Sequence, residues 1–217
     1  MRYFIRENRR PENRAELRLV VNAGSILEDD DQRGLAHLLE HMAFNGSARF
    51  EAGELVTYLE SIGSRFGPDV NAYTSFDETV YMLQVPTEDP KVLDRAFLIL
   101  EDWAHAQTLD PQEIDKERGV VKEEWRLRRG ASARMQDQQL PVMLKGSRYA
   151  ERLPIGTPEI IDNFPHERLR QFYETWYRPD LMAVIAVGDF DADQVERLIR
   201  DRFGAIPRPP PPRVRPR

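Results

Sequence analysis

The chain has 217 residues, of which 41% are hydrophobic and 31% charged, the composition of a globular protein rather than of a disordered one. Its formal net charge is −6, so no general basic surface suggests nucleic acid as a partner. The absence of cysteine excludes disulfides, iron–sulfur clusters and cysteine nucleophiles. No apolar run approaches the roughly 20 residues that a membrane-spanning helix needs.

The first part of the chain alternates β-rich and helical patterns. In chain order, the patterns predict a buried strand, two helices and a pair of strands, at 17–26, 35–44, 54–62 and 71–85. The last of these segments alternates Thr, Tyr and Val residues, and its turn is expected near Phe76 and Asp77. An acidic loop is expected before the first helix.

The remainder of the chain is predicted to be mostly helical. The patterns predict longer helices at 90–107, 111–129, 133–144 and 191–203, short helices at Pro158 and Pro165, and a buried strand at 181–187. Asp110 is a suitable N-cap because Pro111 follows it at the first helical position. Strands in separated groups with helices between them indicate the α+β class, with one sheet covered by helices.

The composition of the chain, especially near its two ends, leads to expectations about its domain organisation. Residues 1–206 are expected to form one domain. Residues 207–217 contain six prolines and four arginines, which is the composition of a stiff linker, so the chain is expected to be a fragment of a longer protein. A ligand for a polyproline-binding module is the alternative for this segment. No signal-peptide pattern is found at the beginning.

One short segment contains the residues that could bind a metal and transfer a proton. His37 and His41 are four residues apart, which on a helix is about 40° of rotation, so both imidazoles leave the same face. This spacing allows two nitrogens to bind one Zn²⁺. Glu40 lies beside that face and could take a proton from a water that the metal activates. An amphipathic helix with two incidental histidines is the alternative, but its apolar remainder would bury the charged groups without a partner.

A zinc site needs a third protein ligand, and the richest candidate segment is the helix predicted at 111–129. Glu117 and Glu124 are seven residues apart and lie within about 20° of each other around a helix axis. The spacing therefore predicts that both face one site, one as a ligand and the other as a supporting group. The alternative is a solvated charged face with an ion pair between Glu124 and Arg128.

The motif and two later segments resemble a known family. His37-Leu-Leu-Glu40-His41 has the inverted zinc motif H-x-x-E-H. Together with NAYTSFDETVY and ERGVVKEEW, it resembles the pitrilysin/insulinase family of zinc peptidases, and within it the PqqL-like bacterial branch. The resemblance implies a half-domain fold like that of pitrilysin and the mitochondrial processing peptidase, with a mainly antiparallel sheet. It also implies one Zn²⁺ per chain, bound by His37, His41 and Glu124.

The resemblance further implies roles for other residues. Glu40 would be the general base, and Glu117 an auxiliary catalytic acidic residue. Asn71, Ala72 and Tyr73 would lie on an edge strand that pairs with the backbone of the substrate. The interval between the motif and the downstream glutamate is somewhat longer than is usual in the family.

The function implied is that of a zinc-dependent endopeptidase. Its partners would be a peptide or unfolded protein substrate and the second half of the same full-length chain or a partner subunit. The alternatives are a non-catalytic scaffold on the same fold and, far less favoured because its site uses a cysteine, S-ribosylhomocysteine lyase. The resemblance implies a periplasmic location, with the cytoplasm as the alternative. The isolated chain is expected to be weakly active or inactive.

Overall fold

A five-stranded sheet organises residues 1–128 and 130–207, the part of the chain that the computed structural model describes. The strands are β1 (Arg2–Glu7), β2 (Arg14–Val21), β3 (Val70–Thr74), β4 (Thr79–Pro86) and β5 (Met182–Gly188). Their order across the sheet is β1-β5-β2-β4-β3. β1 and β5 pair in parallel, and the other neighbours are antiparallel. The predicted α+β class with a mainly antiparallel sheet is confirmed.

Eight α-helices are found in the described residues. They are α1 (Leu35–Met42), α2 (Glu54–Ser61), α3 (Pro90–His105), α4 (Pro111–Leu127), α5 (Ala131–Met143), α6 (Pro158–Asn163), α7 (His166–Trp176) and α8 (Ala192–Phe203). The predicted N-cap of α4 is confirmed, because the Asp110 side chain accepts hydrogen bonds from the backbone N–H groups of Gln112 and Glu113. No helix in the described part of the chain is both long and apolar enough to cross a membrane.

The core lies on one face of the sheet. Side chains alternate along β2, so that Leu17 and Leu19 are fully buried while Arg18 between them is partly exposed. The neighbouring strands β4 and β5 show the same alternation of buried and partly exposed side chains, in register with β2. Helices α1 and α3 pack on this face. Seven of the eight residues of α1 are buried, and five of them belong to the hydrophobic core.

The strand predicted at 17–26 is shorter than expected and ends at Val21. Ser25–Leu27 is a buried 3-10 turn instead. Gly24 fits at this point because the chain passes so close to Ser75 that a Cβ atom would lie 2.3 Å from its carbonyl oxygen. Ile26 and Leu27 pack into the core from the 3-10 turn rather than from a strand.

Two predictions fall at the limits of the described residues. The expected end of α4 at residue 129 lies outside them, and the helix extends to Leu127. The linker predicted at 207–217 lies outside them as well, apart from Pro207. Within the described residues one hydrophobic core joins the early strands to β5 and α8.

Candidate metal centre

The helix that carries the H-x-x-E-H motif is anchored at its first turn by a buried carboxyl group. Gly34 precedes α1 in a left-handed conformation, with φ of 100°, and no side chain at that position caps the helix. Glu28 replaces the missing cap, because its Oε1 accepts hydrogen bonds from the N–H groups of Gly34 (3.0 Å) and Ala36 (2.9 Å). The backbone also passes so close to Gly156 that a Cβ atom there would lie 2.4 Å from Gly34 Cα.

Three nitrogen and oxygen atoms meet where α1 faces α4. The Nε2 atoms of His37 and His41 are 3.3 Å apart. Glu124 Oε2 lies 3.4 Å from the first and 3.5 Å from the second of these nitrogens. The three atoms therefore form a nearly equilateral triangle.

The triangle has the size that a tetrahedral zinc ion requires. Ligand atoms at 2.0–2.1 Å from a tetrahedral Zn²⁺ are about 3.3–3.4 Å from each other. The separations of 3.3, 3.4 and 3.5 Å match this value without any movement of the backbone. Two imidazoles and a carboxylate are also a donor set that zinc accepts. The residues present fit the ion.

The two histidines differ in what holds their second nitrogen. His41 Nδ1 lies 2.7 Å from Glu117 Oε1, while Glu117 Oε2 accepts a hydrogen bond of 2.7 Å from the Asn45 side chain. A proton on Nδ1 leaves the Nε2 lone pair of His41 free for a metal. His37 Nδ1 is buried and has no hydrogen-bond partner among the described residues, so the packing of α1 sets the orientation of this ring.

The charges around the triangle favour a cation. Burial and the neighbouring His41 lower the pKa of His37, which keeps this imidazole neutral. Burial also opposes a charge on His41, but hydrogen bonds to Glu117 and Glu124 outweigh it and raise the pKa of His41. The hydrogen bond with His41 in turn lowers the pKa of Glu124. A positive charge between these carboxylates is therefore stabilised, and a divalent ion would meet the same field.

The two carboxylate oxygens of Glu124 contact different groups. Oε2 faces the histidines, whereas Oε1 forms an ion pair with Arg128, one turn further along the chain. The ion pair between Glu124 and Arg128, which is expected for a solvated charged face, is thus present together with the contact to the histidines. Because the ion pair uses only Oε1, the other oxygen, Oε2, remains available to bind a metal.

Glu40 lies at the same centre and is 7% exposed. Its Oε2 accepts a hydrogen bond of 2.6 Å from Thr74 Oγ1 at the end of β3. Burial raises the pKa of Glu40, and the hydrogen bond from Thr74 opposes this rise. The carboxylate therefore lies beside the triangle without being one of its three corners.

A cavity of about 650 Å³ opens onto the centre. The triangle and Glu40 line one part of it, and the apolar side chains of Phe44 and Phe66 line another, with their rings 5.2 Å apart. The edge strand β3 forms a third wall. The space is large enough for several residues of an extended peptide beside the donor atoms.

Asn71, Ala72 and Tyr73, predicted to contact the substrate, lie on β3 and line this cavity. β3 pairs only with β4 among the described strands. On its other edge Val70 bridges to Phe66 in the preceding loop, and the rest of that edge, from Asn71 onward, has no strand partner there. The Ala72 N–H group donates to Asn71 Oδ1 (2.9 Å), and the Tyr73 hydroxyl donates to Glu78 (2.9 Å). The asparagine side chain thus covers a backbone donor that an added strand would use.

Comparison with known proteins agrees with this geometry. A sequence profile of the family described as "Insulinase (Peptidase family M16)" matches residues 3–145. The chain belongs to this family. A second profile, "Peptidase M16 inactive domain", matches residues 163–217. In the structure both matched regions contribute strands to one sheet, through β5 and its neighbours.

Two of the most similar curated relatives are named zinc proteases. "Probable zinc protease PqqL" of Haemophilus influenzae is 44% identical over 94% of this chain and 22% of its own length. "Zinc protease PQQL-like" of Arabidopsis thaliana is 46% identical over 93% of this chain and 21% of its own length. The crystal structure of the first half of the periplasmic protease PqqL from Escherichia coli superposes with a TM-score of 0.93 at 38% identity, covering 99% of this chain and 46% of that one. The chain thus spans about a fifth of the length of these curated relatives.

The structure brings together all the predicted residues of this insulinase-family site. The predicted metal, catalytic and substrate residues line one cavity: His37, Glu40, His41, Asn71, Ala72, Tyr73, Glu117 and Glu124. His105 ends α3 and His166 begins α7, outside this lining. Sequence reasoning missed Glu28, Asn45 and Thr74. No local signal marks the first and last, whereas Asn45 follows the motif by one helical turn.

Proposed function

We propose that this chain is the metal-bearing domain of a zinc-dependent endopeptidase that hydrolyses peptide bonds. The observation that carries the proposal is the triangle of His37 Nε2, His41 Nε2 and Glu124 Oε2 with the Glu40 carboxylate beside it. Three protein donors with a cavity on one side leave room for water and substrate, which is the arrangement of catalytic rather than structural zinc sites. The names of the relatives support zinc as the ion.

The residues around the triangle have separate tasks in this reaction. His37, His41 and Glu124 would hold the ion, and Glu117 keeps His41 in the tautomer that presents Nε2. Bound Zn²⁺ supplies a Lewis acid that polarises the scissile carbonyl and activates water. Glu40 takes the proton from the attacking water and passes it to the leaving amine. Glu117 therefore acts through His41 rather than on the substrate.

The substrate would bind as an extra strand on β3. Backbone groups at the unpaired edge, around Asn71, Ala72 and Tyr73, would form main-chain hydrogen bonds with an extended peptide. Such bonds do not depend on the peptide's side chains, which suits a peptide or an unfolded protein as the substrate. The apolar cavity wall at Phe44 and Phe66 would receive a side chain next to the cleaved bond.

The proposed setting is that of a larger protein. Residues 1–206 would form the zinc-binding domain and 207–217 a linker, and the second half of the full-length chain or a partner subunit would close the cavity. The share of about a fifth of the relatives' length supports this organisation. The description of Escherichia coli PqqL as periplasmic supports the same location for this protein.

The decisive experiment is the Glu40→Gln substitution in a polypeptide that extends over the full length of the relatives. It keeps the shape of the side chain and removes the proton acceptor, so zinc content should be unchanged and peptidase activity should fall by roughly 10²–10⁴-fold. Glu60→Gln, an exposed change on α2, is the matched control and should remain active. A zinc-loaded wild type without activity would support the non-catalytic scaffold instead, and full activity of Glu40→Gln would assign the proton transfer to another group.

A further inference from the structure

Thr74 contacts the site from β3. Its hydroxyl donates a hydrogen bond of 2.6 Å to Glu40 Oε2. Among the described residues it is the one hydrogen-bond donor to this carboxylate, which is 7% exposed. The distance is shorter than that of most hydrogen bonds between neutral oxygen groups and is typical of a charge-assisted bond from a hydroxyl to a carboxylate. Thr74 is thus the main constraint that the fold places on the carboxylate of Glu40.

The direction of this bond follows from the chemistry of its two partners. An ionised carboxylate can only accept a hydrogen bond, so the proton in the contact belongs to the Thr74 hydroxyl. Thr79 lies opposite Thr74 in the antiparallel pair of β3 and β4 and could also accept this proton, but the two hydroxyl oxygens are 3.4 Å apart. Glu40 Oε2, at 2.6 Å, is the much closer acceptor. The single proton of Thr74 is therefore assigned to Glu40.

A fixed carboxylate matters because its last torsion is otherwise loose. The terminal torsion of a glutamate side chain is broad, unlike its preceding staggered torsions. A helix backbone can therefore place Glu40 correctly while its two oxygens still rotate. The bond from Thr74 to Oε2 removes this freedom and leaves Oε1 without a hydrogen-bond donor among the described residues.

We propose that Thr74 is a positioning residue, which holds Glu40 Oε2 so that Oε1 is the atom that accepts the proton of water. The inference rests on the proposed peptidase function. In the step concerned, an O–H bond of water breaks and its proton moves to Oε1, while an electron pair of the water oxygen forms the bond to the scissile carbonyl carbon and the π pair of the C=O bond moves onto the carbonyl oxygen. The oxyanion then re-forms the C=O bond as the C–N bond breaks, and the same proton moves from Oε1 to the leaving nitrogen.

The position of Thr74 gives this contact a second consequence. Thr74 is the last residue of β3, whose edge would bind the peptide backbone. The base and the peptide-binding strand are thereby tied to each other by one hydrogen bond. A shift of the strand would move Oε1, so the register of the peptide and the position of the base are set together.

The test compares Thr74→Val, which removes the hydroxyl and keeps the shape, with Thr74→Ser, which keeps the hydroxyl. Thr57→Val, an exposed change on α2, is the matched control. In the full-length polypeptide, Thr74→Val should lower kcat by about 10- to 100-fold with KM, zinc content and melting temperature unchanged. Thr74→Ser should recover most of kcat. A crystal structure of Thr74→Val should show the Glu40 carboxylate rotated about its last torsion and α1 in place.

Several results would overturn the inference. They are an unchanged kcat in Thr74→Val, an equal loss in Thr74→Val and Thr74→Ser, and a loss of zinc in Thr74→Val, which would indicate a packing role. If Thr74→Val does not fold, Thr74→Ala removes the same hydroxyl and is measured in its place. Wild type and Glu40→Gln are assayed in parallel: a wild type that lacks activity contradicts the proposed function, whereas an active wild type with an equally active Thr74→Val contradicts only the role of Thr74.

Discussion

The two ring nitrogens of His41 face different partners, a candidate metal site and a carboxylate. Its Nε2 belongs to the triangle of donor atoms, and its Nδ1 lies 2.7 Å from Glu117. The two glutamates of α4 thus contact the site at different depths, Glu124 at the donor triangle and Glu117 behind a histidine. Removing either should weaken metal binding for a different reason.

We expect the two glutamates to differ in their effect on zinc affinity. Glu124→Gln replaces the proposed third ligand by a weak neutral donor. Glu117→Gln leaves all three ligands and disturbs only the orientation and basicity of His41, which typically lowers affinity by about 10- to 100-fold. Competition titration with a chelator should rank Glu124→Gln as the weaker binder. Glu123→Gln, an exposed neighbour on α4, is the control, and a larger loss in Glu117→Gln would reverse the two assignments.

A second prediction at this scale concerns Glu28 and pH. Burial raises the pKa of Glu28 from its ordinary value of 4.5 to about 8, against the opposing hydrogen bonds from Ala36 and Gly34. Between these two values the folded chain holds a proton that the unfolded chain has released. The free energy of unfolding therefore falls as the pH rises through this window, by at most about 1.4 kcal/mol per pH unit from this group.

The measurement is urea unfolding of wild type and Glu28→Gln at a series of pH values. Glutamine keeps the oxygen that accepts from the first turn of α1 and does not titrate. The difference in unfolding free energy between the two proteins should therefore change in favour of the variant as the pH rises. Parallel curves over the whole range would show that Glu28 is ionised in the folded protein already at low pH.

At the scale of elements, the site is built from one helix pair and one strand edge. α1 supplies two donor atoms and Glu40, α4 supplies the third donor, and β3 supplies the wall beside them. β3 is one of the two edge strands of the described sheet, so its edge beyond Val70 can accept a further strand without rearrangement of the sheet. The hydrogen bond between Ala72 N–H and Asn71 Oδ1 indicates which donor faces outward.

We expect a proline at residue 72, whose N–H group faces outward, to weaken peptide binding without affecting folding. Ala72→Pro removes the N–H group that donates to Asn71, and proline is tolerated on edge strands where the N–H faces away from the sheet. Peptide hydrolysis by the full-length polypeptide should show a raised KM, while zinc content and melting temperature stay close to those of the wild type. Asn71→Ala, which uncovers the same N–H, is the companion variant. An unchanged KM in Ala72→Pro would argue against strand addition at β3.

At the scale of the whole molecule, the described residues contain the complete donor triangle but leave its cavity open. All three donors and Glu40 come from α1 and α4, which pack against each other and against one continuous core. Peptide hydrolysis also needs the substrate to be held in position and its developing charge to be stabilised by preorganised donors. These further requirements are the reason to expect contributions from the rest of a longer protein.

The chain alone should therefore fold and bind one Zn²⁺ but hydrolyse peptides poorly. Its kcat/KM on an unstructured peptide should be well below that of a polypeptide extending over the full length of the relatives, when both are compared at equal zinc occupancy. Elemental analysis supplies the occupancy and circular dichroism the fold. Equal kcat/KM for the two proteins would show that this domain alone is sufficient.

The sequence by itself determined the helix faces that carry the proposed metal ligands and most of the elements around them. Two histidines four residues apart must leave one face of a helix, and two glutamates seven residues apart must do so as well, since helical geometry is local. The amphipathic patterns of α3 and α8 and the cap of α4 are local in the same sense. These features depend on neighbours within a few residues along the chain, which is why they could be predicted.

The tertiary structure alone decided how these faces meet. The sequence predicts that Glu117 and Glu124 face one site, but only the packing of α1 on α4 places Glu124 at the donor triangle and Glu117 behind His41. The bond from Thr74 to Glu40 joins residues 34 positions apart and depends on where β3 lies against α1. Such contacts depend on the packing of the whole core, and local periodicity carries no information about which distant side chains the core brings within hydrogen-bonding distance.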